Sequence, residues 1–277
     1  MPIESANEAD APEALRSEPG CEGEAARVGC TVEVRILGAV VIAGAPGPFD
    51  RPKVVESIAY LALHRAGVAK SVWATALWPD RRMSPNSLNT ALWQARRALG
   101  VDAAGARHLV PARAALLVLG PGVSTDLDRF ELLASCGSVD GLRQALALVR
   151  GRPLDGIGDP DWVVLEGHAS RLEEAAASAG LALGELALAS GDPSLAAWGA
   201  RQAIRASPSD ERLYRLLMRC SHAAGNAGGV CSAYAELCRV LGTDPSAEDG
   251  VSPDTQVLRD ELLGRSGGRR GLDLRAC

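Results

Sequence analysis

What the 277-residue sequence lacks narrows its function before any motif is read. No apolar run is long enough for a membrane span, and residues 1–30 show neither the basic start nor the apolar core of a secretory signal. A cytoplasmic protein with no membrane partner is expected. The seven cysteines (Cys21, Cys30, Cys136, Cys220, Cys231, Cys238 and Cys277) are odd in number and contain no C-x-x-C pair, which argues against a disulfide framework and a zinc finger. Also missing are a G-x-x-x-x-G-K-[ST] loop, H-E-x-x-H, G-x-S-x-G and any Cys-His catalytic signature. The expectation is therefore a protein that is not an enzyme, with no catalytic residue, cofactor or metal. Cys220, His222, Cys231 and Cys238 could converge in a folded repeat, but without tight paired spacing they read as small core residues. His64 falls at the end of one helical pattern and His168 on an acidic helix, neither with a catalytic companion in the sequence.

Lysine is scarce too: Lys53 and Lys70 stand against 27 arginines. The bias fits nucleic-acid binding, although the high alanine and glycine content makes a GC-rich genome the simpler cause. The distribution of charge is more informative. Residues 1–30 hold two arginines against seven acids, residues 31–125 hold eleven basic residues against five acids, and the remainder nets −6. A basic unit inside an acidic chain points to a polyanion partner for that unit alone.

Residues 1–30, acidic and with prolines at 2, 12 and 19, are read as a disordered tail, and so are residues 264–277. Residues 31–37 alternate Val32, Val34 and Ile36 with Glu33 and Arg35, predicting a half-buried strand with a partner at 40–43. Three amphipathic helices follow. The first, at 52–64, opens on Pro52 and buries Val54, Ile58, Leu61 and Ala62; the second, at 70–78, is anchored by Trp73 and Leu77. Ser84-Pro85 caps the third, which ends at Gly100. Two short strands at 108–111 and 116–119, joined by a tight turn at Ala112 and Arg113, complete a winged helix-turn-helix.

The third helix carries the functional signal. Leu88, Ala91, Leu92, Ala95 and Leu99 form one apolar stripe. The opposite stripe is Asn86, Asn89, Thr90, Trp93 and Arg97, flanked by Gln94 and Arg96. Amides pair with adenine edges and guanidinium groups with guanine or phosphate, so this face suits a major groove; a merely solvated surface has the same composition.

The second half is helical. Gly191 and Gly225 are 34 residues apart, and the same offset carries Ala189 to Ala223 and Ala200 to Tyr234. That is the tetratricopeptide period, whose hairpins bury their apolar faces only by stacking on neighbours. The fold class expected is mainly α: a winged helix of α+β type, then an all-α tetratricopeptide-like repeat domain.

An ordered series of motifs adds to this. Residues 61–64 (LALH), 77–80 (LWPD) and 95–100 (ARRALG) are followed by 126–130 (DLDRF), 150–154 (RGRPL), Asp161-Trp162, Gly225-Asn226 and 252–255 (SPDT). Over about residues 31–263 the chain resembles the SARP-type activators, in which an OmpR-like winged helix is fused to a bacterial transcriptional activation domain. The pattern is broken at Ala69, where a capping serine is usual, at Ala114-Ala115, where a Gly-Tyr commonly shapes the wing, and by the insertion 244–250.

The resemblance implies a DNA-binding winged helix at 31–125 and an activation domain at 126–263. Asn86, Asn89, Thr90, Gln94 and Arg97 would read bases. Lys70, Arg81, Arg82, Arg96, Arg107, His108 and Arg113 would clamp phosphates. Trp93 has two readings, packing on the wing or the first helix as structure, which is favoured because tryptophan is largely buried on average, or contact with DNA. The implied function is a sequence-specific transcriptional regulator, an activator that recruits RNA polymerase at promoter repeats, with double-stranded DNA, RNA polymerase or a sigma factor, and a second protomer as partners. The alternative is a protein-interaction adaptor whose winged helix no longer reads sequence.

Overall fold

The computed structural model describes residues 32–111, 116–158, 160–245 and 250–264. The chain opens with β1 (Val32–Arg35) and β2 (Val41–Ala43), antiparallel with Val34 opposite Ile42. β1 is shorter than the alternating pattern predicts. The N–H groups of Ile36 and Leu37 donate to the Asp126 carboxylate, and their carbonyls accept from Leu154 and Arg150.

Next come α1 (Pro52–Leu63), β3 (Val68–Ala69), α2 (Lys70–Leu77) and α3 (Pro85–Leu99). β4 (Leu109–Pro111) and β5 (Leu116–Leu119) form the wing, and β3 pairs with β5 as a third strand the sequence did not reveal. β6 (Val123–Thr125) returns parallel to β1. The expected turn at Ala112 and Arg113, and Ala114-Ala115, lie outside the described residues.

Helix α1 departs from the single-stripe expectation. Val54, Ile58, Leu61 and Ala62 are buried as predicted, but so are Glu56, Ser57, Ala59 and Tyr60. The helix packs on β1, α2 and α3 and also meets the helical half through Glu56 and Tyr60. One apolar cluster runs from Val32 through Trp73, Leu99 and Phe130 to Leu213, so the two halves share a core.

The helical half comprises α4 (Asp126–Ser135), α5 (Val139–Ala147), α6 (Asp161–Leu165), α7 (His168–Ala189), α8 (Pro193–Ala206), α9 (Glu211–Ala223), α10 (Ala227–Leu241) and α11 (Pro253–Leu262). The 34-residue offset is physical. Ala189 and Ala223 end α7 and α9, and Gly191 and Gly225 turn the chain at φ +78° and +69°. Asp192 and Asn226 then cap α8 and α10 through their side chains. Glu185 and Arg219, also 34 residues apart, join α7 to α9 as an ion pair.

Candidate nucleic-acid interface

Helix α3 is set by its ends and its apolar stripe. The Ser84 hydroxyl accepts from the Ser87 N–H at 3.2 Å, Pro85 holds the first turn, and Gly100 leaves the helix at φ +75°. Leu92, Ala95, Ala98 and Leu99 face inward, against α1 and β4. The opposite face is open: Asn86, Asn89, Thr90, Trp93 and Arg97 are exposed and Gln94 is half-buried. Within it, Thr90 donates to the Asn86 carbonyl at 3.0 Å, and Lys70 donates to Asn89 Oδ1 at 2.6 Å. Lys70 thus reaches from α2 to the α3 face and leaves the Asn89 amide N–H groups pointing away from it.

Two readings of this face need correction. Trp93 is not packed on the wing or α1: it is 56% exposed, with the Arg97 guanidinium 5.3 Å from its ring centroid. The ring projects from the polar stripe and fixes the direction of Arg97 by a cation–π contact. His108 is only 2% exposed, its ring lying where a Cβ on Gly122 would come within 2.9 Å, so it cannot serve as a phosphate clamp. Arg113 lies outside the described residues.

Around α3 the arginines differ from those that join α7, α8, α9 and α10. Arg81 and Arg82 are exposed in the loop before the helix, and Arg107 is exposed before β4. Among the described residues, none of Arg81, Arg82, Arg96, Arg97 and Arg107 forms an ion pair with a carboxylate, whereas Arg201, Arg212, Arg215 and Arg219 of the helical half each pair with a glutamate. Burial, and then the neighbouring Arg107, push the Arg96 guanidinium below its ordinary range. Its Nε is buried without a hydrogen-bond partner. An anion arriving beside Arg96 and Arg107 would relieve their mutual repulsion.

A second polar cluster went unread in the sequence. Glu56, Tyr60 and His64 recur every four residues on α1 and meet Trp162, Glu166 and His168. Trp162 donates its indole N–H to Glu56 at 3.2 Å, and Tyr60 its hydroxyl to Glu166 Oε1 at 3.0 Å. Burial, and then the Glu166 contact, push the Tyr60 hydroxyl up out of its usual range, while burial lowers His168 against the opposing pull of Glu166. The available signal was that spacing: a polar stripe four residues apart on a helix whose other side is already core.

His64, Glu166 and His168 are also the group among the described residues that could hold a metal ion. In the other cysteine-histidine group, Cys220 and Cys238 are buried and His222 Nδ1 sits 3.1 Å from the Leu262 carbonyl. Burial raises the Cys220 thiol to about 11. A groove of about 410 Å³ between α2 and α6 is lined by Val72, Thr75, Pro79, Trp162 and Leu165.

Comparison with known proteins places this architecture. No curated protein matches the sequence. Mycobacterium tuberculosis EmbR, solved in complex with a low-affinity phosphopeptide, aligns with a TM-score of 0.59 at 23% identity, over 85% of this chain and 65% of its own. The chain thus spans about two-thirds of that protein's length, and the likeness is one of fold. No described helix is long and apolar enough to cross a membrane. Residues 125–263, half of the sequence, match the family model described as bacterial transcriptional activator domain, and the chain belongs to that family, as its resemblance to the SARP-type regulators implied.

Proposed function

We propose that this member of a transcriptional activator family binds double-stranded DNA through residues 31–125 and activates transcription through residues 126–263. Helix α3 enters the major groove. Asn86, Asn89, Thr90, Gln94 and Arg97 read base edges, and Lys70, Arg81, Arg82, Arg96 and Arg107 hold phosphates on either side. The observation that carries the reading is a cluster of arginines around α3 with no carboxylate partner among the described residues, whereas Arg201, Arg212, Arg215 and Arg219 of α8 and α9 each pair with a glutamate. The acidic helical half then contacts RNA polymerase or a sigma factor.

A salt titration of DNA binding tests this. One promoter sequence should be preferred, with log affinity falling linearly in log salt as counterions leave the phosphates. Arg97→Ala should cost about 1–3 kcal/mol on the preferred site and little elsewhere. Arg107→Ala should weaken all sequences alike and reduce the salt slope by about 1. The adaptor reading draws on the groove between α2 and α6, with Val72 and Leu165 exposed at 51% and 82%. Equally weak binding to every duplex would favour it instead.

A further inference from the structure

We propose that His64, Glu166 and His168 form a binding site for a zinc-class divalent cation, bridging the winged helix and the helical repeats. His64 Nε2 and His168 Nε2 each lie 3.0 Å from the same oxygen, Glu166 Oε2, and the three donor atoms fall within 4.8 Å of one another. The proton positions make this arrangement informative. His64 Nδ1 is 2.7 Å from the Tyr60 carbonyl, which can only accept, so Nδ1 carries the hydrogen. In the neutral ring, Nε2 then aims a lone pair at a carboxylate oxygen. A second imidazole converges on that oxygen from His168, which is 8% exposed. With His64 Nδ1–H committed to Tyr60, both rings can donate to Oε2 only when His64 carries a second proton, which crowds two donors onto one oxygen. A divalent ion satisfies all three donors at once.

The surroundings are those of a metal site. Histidine ligands characteristically donate their other ring N–H to a carbonyl or carboxylate, as His64 does to Tyr60. The Tyr60 hydroxyl holds Glu166 Oε1, turning Oε2 toward the imidazoles, and the Tyr60 ring stacks on His64 at 4.2 Å. Tetrahedral bonds of about 2.0–2.1 Å separate ligand atoms by about 3.3 Å, so the two 3.0 Å distances need a small expansion and the two imidazole nitrogens, within 4.8 Å of each other, must come to that same spacing. Two imidazoles and one carboxylate suit zinc, with nickel and copper as competitors, and not the oxygen-seeking magnesium or calcium. The side chains of His64 and Glu166 remain 24% and 32% exposed, which leaves a route for the ion and a fourth position for water. His64 ends α1, the helix against which α3 packs, whereas Glu166 follows α6 and His168 opens α7. The ion would thereby fix the DNA-facing helix relative to the activation half.

Zinc chloride titrated calorimetrically into the chelator-treated full chain should bind at one ion per chain. Cobalt substituted into the site should give visible d–d bands without the near-ultraviolet charge transfer of thiolate ligands, which separates this site from the seven cysteines. His64→Gln and His168→Gln should each weaken zinc at least tenfold with the helical circular dichroism retained, and Tyr60→Phe by about ten- to a hundredfold through lost carboxylate orientation. Absence of stoichiometric zinc binding to the wild-type chain overturns the proposal. So does binding that survives both histidine substitutions, or a cobalt spectrum dominated by thiolate.

Discussion

Ala69 stands at the N-cap of α2 with φ −62° and ψ 139°, a capping backbone without a capping side chain. Ala69→Ser should therefore stabilise the protein by about 1 kcal/mol, read as a rise in the denaturant midpoint at unchanged slope. Glycines in the repeats split by what surrounds them. A Cβ on Gly180 would come 2.6 Å from Ala203 Cβ, with the Gly199 carbonyl behind it, so α7 and α8 touch there through backbone. Gly180→Val should cost about 2 kcal/mol or more by overpacking. Gly228, whose Cβ would meet nothing closer than Asn226 Oδ1 at 3.5 Å, should accept alanine with a gain of a few tenths to about 1 kcal/mol. The Ser84 cap was legible in the sequence because capping is local, and the vacant cap at Ala69 showed as a departure from the family pattern. The burial of His108 was not legible, because it depends on Gly122, fourteen residues further on and in another segment. Trp93 misled for the same reason: whether a tryptophan finds a cover is decided by distant chain.

Elements were more legible than contacts. Helix boundaries followed from proline, glycine and periodicity to within one residue at α1, α2 and α3, while β3 and β6 escaped because a two- or three-residue strand has no period to read. The last helix depends on a polar clamp rather than on its apolar face. Glu211, at the start of α9, accepts from the Ser252 N–H at 3.1 Å and from the Thr255 hydroxyl at 2.6 Å, and Arg215 lies 3.9 Å away. Burial alone would raise the Glu211 carboxyl; the hydrogen bonds from Ser252 and Thr255, with Arg215, outweigh it and hold the group below its ordinary value of 4.5. A carboxyl depressed on folding contributes stability above the unfolded value, and the contribution is lost as pH falls through the folded one. Protection factors across α11, taken relative to the intrinsic exchange rate at each pH, should thus fall in acid, below pH 4.5, before those of α7 and α9 do. Glu211→Gln should loosen α11 at neutral pH by about 1–3 kcal/mol and flatten that acid response. Retained protection of α11 down to the global transition would remove the clamp from this account.

At the scale of the molecule, the junction between the halves is held by a buried charge. Asp126, 1% exposed, accepts from the Ile36 and Leu37 N–H groups and pairs with Arg150 at 3.1 Å. The 150–155 segment in turn runs beside residues 36–40. Gly38 admits Arg150 so closely that a Cβ there would come 2.9 Å from Arg150 Cβ, and Leu154 is held at φ +62°. A leucine in the left-handed region costs about 1–2 kcal/mol, and it persists here because its N–H reaches Ile36 and its side chain is buried. The sequence announced these residues only as family motifs, since neither Asp126 nor Leu154 shows its role until strand, loop and helix converge. Asp126→Asn offers one acceptor where two N–H groups need separate oxygens, and it leaves Arg150 without its carboxylate. The expected loss is about 3 kcal/mol, against less than about 0.5 kcal/mol for Asp140→Asn, whose side chain is 80% exposed. Because the apolar core runs unbroken from Val32 to Leu213, that loss should not confine itself to the junction. Denaturation followed by the resolved fluorine resonances of Trp73 in the winged helix and Trp198 in the repeats, in 5-fluorotryptophan-labelled protein, should move together to a lower midpoint. Two separated transitions, with the winged-helix probe unmoved, would mean that the halves fold as independent units and that Asp126 only ties them.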